Sequence, residues 1–187
     1  WDFGDGNTSV AQNPSHTYIN DGVYDVKLIT SNLYGSDTIT SLSIVEVNTA
    51  NGLISSDCYP STLSNCCNYG ITKVIFNTIN NSSLNASEGY VDFSCGNQTT
   101  VNVSDSYSIT ISTGPDNPQD TKVWLDIDNN GVFDNSELLL EVYNNYNPTG
   151  NITIPSNTIL NTPIRLRVSS DEVGNNFGPC DDLFRGQ

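Results

Sequence analysis

The 187-residue sequence contains no methionine and only six basic residues. The resulting net charge of −15 repels phosphate, so the composition argues against nucleic acid and anionic membrane surfaces as partners. No apolar run approaches membrane-spanning length, which argues against membrane insertion. Because the chain does not begin with methionine, we expect a processed product or a segment of a longer protein.

The sequence also lacks the residues of common catalytic sites. His16 is the single histidine, and no GxSxG, HExxH, P-loop or dinucleotide-binding motif occurs. No nucleophile can therefore be matched with a general base. We predict that the chain is not an enzyme.

What the sequence does contain is a series of short apolar runs rich in β-branched and aromatic residues. Pro, Gly, Asn and Ser separate these runs, a rhythm that is typical of all-β proteins. The runs form two groups, separated by a small polar stretch at residues 49–57 that we interpret as a linker. We predict two β-sandwich domains in series, the first with a strand at 15–19 and the second with seven strands, including strands at 70–79 and 89–94.

A twelve-residue acidic segment, DIDNNGVFDNSE, occupies residues 126–137. It matches the calcium-loop pattern D-x-[DN]-x-[DN]-G-x5-E at every constrained position. The predicted ligands, of which the fourth would bind through its backbone carbonyl, are Asp126, Asp128, Asn130, Val132, Asp134 and Glu137. We therefore predict calcium binding, and the alternative is an acidic hairpin turn that binds no ion.

The segments on either side of this loop determine the role of the ion. "KVWL" before the loop and "LLLEVY" after it have the alternation and composition of strands, not of a helix pair. A signalling switch would need such a helix pair. We expect calcium to tie strand ends together.

The first 48 residues resemble a PKD (polycystic kidney disease) domain, an immunoglobulin-like β-sandwich. The matching residues are Trp1, Asp2, Phe3, Gly4, Asp5, Gly6, Pro14, His16, Tyr18, Gly22 and Tyr24. Only the C-terminal part of that family's pattern is present. The opening WDFGDG is then a structural turn, and the alternative is a catalytic or metal cluster of Asp2, Asp5 and His16.

Residues 58–187 resemble the GEVED domain, a β-sandwich module of bacterial secreted proteins. The segment VWLDIDNNGVFDNSELL is the most specific part of this likeness. The resemblance implies a non-catalytic accessory module. It also suggests that cysteines staple the fold, with Cys58 pairing with Cys180 and Cys95 pairing with Cys66 or Cys67. Five cysteines without metal-site spacing fit disulfides and an extracellular location, and one of them is left over.

Three functions remain open from the sequence. The first is a calcium-stabilised spacer or adhesion segment of a large secreted or cell-surface bacterial protein, with the other domains of the same polypeptide as partners. The second is an accessory module of a secreted hydrolase that binds polysaccharide or protein through Tyr143, Tyr146, Phe177 and Phe184. The third is a filament subunit that self-assembles by strand donation.

Overall fold

The computed structural model describes residues 1–20, 22–47, 52–64, 66–83 and 88–187. The chain divides into two compact units, Trp1–Gly52 and Leu53–Gln187, and the division falls inside the predicted linker. The described residues contain strands and one 3₁₀ turn but no α-helix, and the all-β prediction is confirmed. Among these residues, no helix is long and apolar enough to cross a membrane.

The first unit is built on one antiparallel hairpin. Strand β1 (Gly22–Asn32) pairs with β2 (Gly35–Val47), and a register shift follows Tyr24. The opening turn joins this hairpin through Asp2, which forms bridges with both Thr8 and Lys27. The strand predicted at residues 15–19 is absent, because ring packing rather than a strand ladder holds this segment: His16 stacks on Phe3 with 4.1 Å between ring centroids.

The second unit contains a four-stranded and a three-stranded antiparallel sheet. In the first sheet the order is β4-β3-β5-β8, and in the second it is β7-β6-β9. Their bounds are β3 Ile71–Phe76, β4 Ile79–Ser82, β5 Ser106–Thr113, β6 Gln119–Leu125, β7 Leu138–Asn145, β8 Thr149–Thr153 and β9 Leu166–Glu172.

Strand β6 is buried along its whole length because both of its faces are covered. One face contributes Val123 and Leu125 to the main core. The other packs Trp124 against a smaller cluster that includes Phe133 and Phe177. The loop that follows β6 therefore starts from a position without solvent access.

Two sequence predictions within this unit are wrong. Residues 89–94 do not form a strand; a turn begins here, in which Ser94 N donates to the Asp92 carboxylate at 2.9 Å. The single strand predicted at 70–79 is a tight hairpin, because Asn77 adopts a positive φ of 51° and reverses the chain between β3 and β4.

The cysteines follow the prediction in part. Cys58 and Cys180 form a disulfide with Cα atoms 5.6 Å apart, as predicted. The predicted pairing of Cys95 with Cys66 or Cys67 is wrong, since all three are free. Cys95 lies on a different loop from the other two: it is in the turn next to Asp92, which Arg165 binds, whereas Cys67 lies in a turn held by Asn117.

Candidate metal centre

The acidic segment at residues 126–137, here called the metal loop, joins neighbouring strands of one sheet. Strand β6 ends at Leu125, and the loop closes in a 3₁₀ turn, Asn135–Glu137, from which β7 departs at Leu138. The two strands pair up to Trp124 and Leu138. Loop closure therefore brings the first and last loop residues together at one end of the β6–β7 ladder.

Three carboxylates meet at this point. The side chains of Asp126, Asp128 and Glu137 place oxygen atoms within 4.8 Å of one another. Asp126 and Glu137 are 0% and 3% exposed, whereas Asp128 faces solvent. The cluster is therefore buried on the side of Asp126 and Glu137 and open to solvent at Asp128.

Backbone amides hold both buried carboxylates. Asp126 accepts hydrogen bonds from Asn130 N at 3.1 Å and Gly131 N at 3.0 Å. Glu137 accepts from Ile127 N at 2.8 Å and Asp134 N at 3.1 Å. No salt bridge among the described residues involves either carboxylate, so their charge is not balanced by a basic side chain.

The environment disfavours the charged forms of these two groups. Burial raises the pKa of Asp126, the amides of Gly131 and Asn130 partly oppose this effect, and the charge of Asp128 adds to it. Burial also raises the pKa of Glu137, and the charge of Asp126 adds to it. A bound cation would reverse both effects.

The other predicted ligands lie on the same loop but have local hydrogen-bond partners. Asn130 donates from Nδ2 to Asp128 at 2.9 Å, and its Oδ1 accepts from Val132 N at 2.7 Å. Asp134 caps the 3₁₀ turn by accepting from Ser136 N at 2.7 Å and Ser136 Oγ at 2.6 Å. These bonds lower the pKa of Asp134, so it is readily ionised.

A segment distant in sequence braces the loop. We call residues 53–58 the strap: Ile54 N donates to Asn129 Oδ1 at 3.1 Å, and Asp57 N donates to Gly131 O at 2.9 Å. Gly131 has a φ of +83°, and a Cβ at this position would lie 2.4 Å from Ser55 O. Only glycine allows this approach.

Arg167 joins the strap to the disulfide and to the loop. Its guanidinium donates to Ser56 Oγ at 2.7 Å, to Cys58 O at 2.9 Å and to Pro179 O at 2.6 Å. The same group lies 4.4 Å from the ring centroid of Phe133, inside the metal loop. Sequence reasoning missed both the strap and Arg167, because neither is near the loop in sequence and neither carries a motif.

The opening turn is also acidic but is differently built. The Asp5 carboxylate lies 2.8 Å from His16 Nε2 and accepts two hydrogen bonds from Asn7. Asp2 accepts from Gly4 N at 3.0 Å and lies 3.9 Å from Lys27 Nζ. Each carboxylate therefore has a partner from its own unit.

Two family models match the chain. The PKD domain model matches residues 1–47, and the GEVED domain model matches residues 120–187. The predicted order of the two domain types is therefore confirmed, and both are non-catalytic module families that indicate an extracellular bacterial module. No curated protein and no solved structure shows significant similarity to the chain. The GEVED match includes the metal loop and Cys180, whereas the strap and Cys58 precede it.

Proposed function

We propose that the chain is a calcium-stabilised, non-catalytic extracellular module that serves as a spacer or adhesion segment of a larger secreted or cell-surface bacterial protein. The observation that carries this proposal is the pair of buried carboxylates, Asp126 and Glu137, which no basic side chain in the described part of the chain neutralises. Burial of uncompensated charge is costly, and a divalent cation offsets that cost.

The available donors fit calcium. Three carboxylates meet with one open side, and calcium takes six to eight oxygen ligands in flexible geometry. The groups that would hold the ion are Asp126, Asp128, Asn130, the Val132 carbonyl, Asp134 and Glu137. Cysteine and histidine do not belong to this set, which disfavours zinc.

The position of the loop supports a structural role for the ion. The loop connects two paired antiparallel strands, and the strap holds it through backbone hydrogen bonds. A cation bound here would link the end of β6 to the start of β7. It would act as a staple that stabilises the folded state in proportion to ligand concentration.

Calcium titration of a matched pair of variants tests this proposal. Asp128→Asn removes one exposed carboxylate from the cluster, and Asp105→Asn removes another exposed carboxylate that also accepts from an asparagine side chain. We expect calorimetry to show binding to the wild type, affinity at least about tenfold lower for Asp128→Asn, and no change for Asp105→Asn. Calcium should raise the unfolding temperatures of the wild type and of Asp105→Asn by a similar amount, and that of Asp128→Asn by less.

Two results would reject the calcium proposal. One is a wild-type unfolding temperature that is the same in calcium and in chelator. The other is an equal loss of affinity in both variants, which would indicate only a general effect of negative charge on the surface.

A second candidate function rests on two exposed tyrosines. Tyr143 and Tyr146 are 58% and 45% exposed near the β7–β8 connection, where they could stack on sugar rings. Phe177, the third aromatic of that hypothesis, is buried and does not contribute. A glycan array tests this function: binding lost in Tyr143→Ala but kept in Tyr34→Ala, a tyrosine of the first unit that is 97% exposed, would support it.

A further inference from the structure

Cys66 and Cys67 occupy a tight turn immediately before the main core begins. Cys67 and Asn68 have positive φ values of 65° and 56°, and Tyr69 N donates to Cys66 O at 3.5 Å. Two successive left-handed residues closed in this way form a turn of the I′ type. Glycine and asparagine are the usual residues at such positions, so cysteine at the first of them is an exception.

The rest of the turn is held by neighbouring side chains. Asn117 Nδ2 donates to Cys67 O at 2.9 Å, and Asn68 donates to the Asp116 carboxylate. Strand β3 then starts at Ile71 and leads directly into the buried core. The surrounding structure therefore fixes Cys67 in a backbone conformation that costs a side-chain-bearing residue about 1 kcal/mol, and such outliers are often functional.

The two thiols are adjacent and accessible. Cys67 is exposed and Cys66 is half-buried. The neighbouring Cys66 thiol and burial raise the pKa of Cys67. The charge of Arg185 partly opposes this rise, and its guanidinium lies 5.8 Å from the ring centroid of Tyr69. Cys95 is exposed on a different loop and does not share this environment.

We infer that Cys66 and Cys67 form a redox-active dithiol that small-molecule disulfides oxidise to a disulfide between adjacent residues. The thiolate of one cysteine attacks the small-molecule disulfide, forms a mixed disulfide and releases the first thiolate. The neighbouring cysteine then attacks the mixed disulfide at the protein sulfur and releases the second. Two electrons and two protons leave the protein, and one external disulfide becomes two thiols.

Chain geometry makes this bond easier to reduce than the structural one. Adjacent Cα atoms across a trans peptide are about 3.8 Å apart, which is shorter than the range of about 4.4–6.8 Å that disulfides favour. The Cys58–Cys180 Cα atoms are 5.6 Å apart, within that range. Strained and exposed disulfides are the labile ones. The inference also accounts for the odd cysteine count, since Cys95 remains as the single unpaired thiol.

Intact mass spectrometry of the full chain tests the inference. After mild reduction, the protein is treated with oxidised glutathione. We expect a loss of about 2 Da from closure of the pair and one glutathione adduct, on Cys95. Trypsin separates the relevant thiols, because Cys66 and Cys67 fall on residues 28–73 and Cys95 on residues 74–122.

Single variants identify the two thiols. Cys67→Ser should abolish the 2 Da loss and add a second glutathione, on Cys66, while Cys95→Ser should keep the loss and carry no adduct. Wild-type protein with separate adducts on both Cys66 and Cys67 would overturn the inference. A crosslink between the 28–73 and 74–122 fragments would also overturn it, because it would show that Cys95 is the partner.

Reduction with increasing concentrations of dithiothreitol tests whether the two disulfides differ in how easily they open. The Cys66–Cys67 bond should open at a lower dithiothreitol concentration than Cys58–Cys180, without loss of the folded state. Simultaneous opening of both bonds would contradict this part of the inference.

Discussion

The opening turn and the metal loop consist of the same residue types but differ in how their carboxylates are balanced. In the opening turn, Asp5 lies 2.8 Å from His16 and Asp2 lies 3.9 Å from Lys27. In the metal loop, Asp126 and Glu137 are buried and accept hydrogen bonds from backbone amides, and no basic side chain among the described residues pairs with them. The opening turn thus has a basic side chain near each of these carboxylates, whereas the buried carboxylates of the metal loop have none among the described residues.

The pKa values express the same difference. Burial opposes ionisation of Asp5, but hydrogen bonds from Asn7 and His16 outweigh it and lower the pKa from 3.8 to about 2. At Asp126 and Glu137 burial prevails over the backbone amides, and both pKa values rise. A side-chain partner therefore distinguishes the Asp5 carboxylate, whose pKa is lowered, from the buried carboxylates of the metal loop, whose pKa values are raised.

The largest predicted effect comes from removing the disulfide that anchors the strap. The double variant Cys58→Ser, Cys180→Ser opens a link across 122 residues, which we expect to lower the free energy of unfolding of the second unit by about 4 kcal/mol. Calcium affinity should also fall, because the strap that holds Asn129 and Gly131 loses its anchor. Denaturant unfolding and calcium titration measure the two effects.

The first unit provides the internal control for that experiment. Trp1 and Trp124 are the two tryptophans, one in each unit, so Trp124→Phe leaves a fluorescence signal from the first unit alone. This signal should not change when the disulfide is removed. Unchanged calcium affinity in the double cysteine variant would show that the loop does not depend on the strap.

A smaller effect is expected from adding one methyl group to the metal loop. Gly131→Ala places a Cβ 2.4 Å from Ser55 O at a φ of +83°, and we expect a loss of about 3 kcal/mol. Gly174→Ala is the matched control, since Gly174 has a φ of +86° but no atom within 4 Å of the added Cβ. Its cost should be about 1 kcal/mol. Equal costs in thermal unfolding would show that the contact with the strap is not required.

The difference between local and distant signals explains what the sequence could predict. The metal loop and the opening turn are each encoded within twelve residues, so pattern and spacing locate them directly. The disulfide could be predicted once residues 58–187 were interpreted as one domain, because Cys58 and Cys180 then stand near its two ends. The order of the PKD and GEVED matches was likewise predictable from local motifs.

Contacts between distant segments could not be predicted in this way. Ile54 meets Asn129 across 75 residues, and Arg167 meets Ser56 across 111, with no pattern linking either pair. Phe177 lies in a polar stretch, yet it packs on Trp124, because the second face of β6 needs covering. The strand predicted at 89–94 failed because apolar alternation alone does not provide a neighbouring strand to pair with.

The pH dependence of the metal-free protein tests the charge on the buried loop. Because the folded-state pKa values of Asp126 and Glu137 are raised, their contribution favours folding below their ordinary values and is lost as pH rises through the raised ones. The unfolding temperature of the second unit in metal-free buffer should therefore fall more between pH 4 and pH 7 in the wild type than in Asp126→Asn. Asp126→Asn also loses one hydrogen bond from a backbone amide, and this loss lowers the unfolding temperature by the same amount at every pH. The quantity to compare is therefore the slope of unfolding temperature against pH. Parallel slopes would contradict the prediction.

The smallest predicted effect lies in the opening turn, where the stability should depend on pH in the opposite direction. The lowered pKa of Asp5 means that its contribution to stability is present above 3.8 and is lost as pH falls through about 2. Between pH 4 and pH 2 the Trp1 signal of the Trp124→Phe protein should report progressive destabilisation, and a further Asp5→Asn change should flatten this part of the profile. The substituted amide keeps an oxygen for Asn7 N but has no charge to pair with His16, so the variant removes the titration while the turn can still close. Equal slopes with and without Asp5 would mean that the His16 pair does not stabilise the turn, and the contrast with the metal loop would then rest on burial alone.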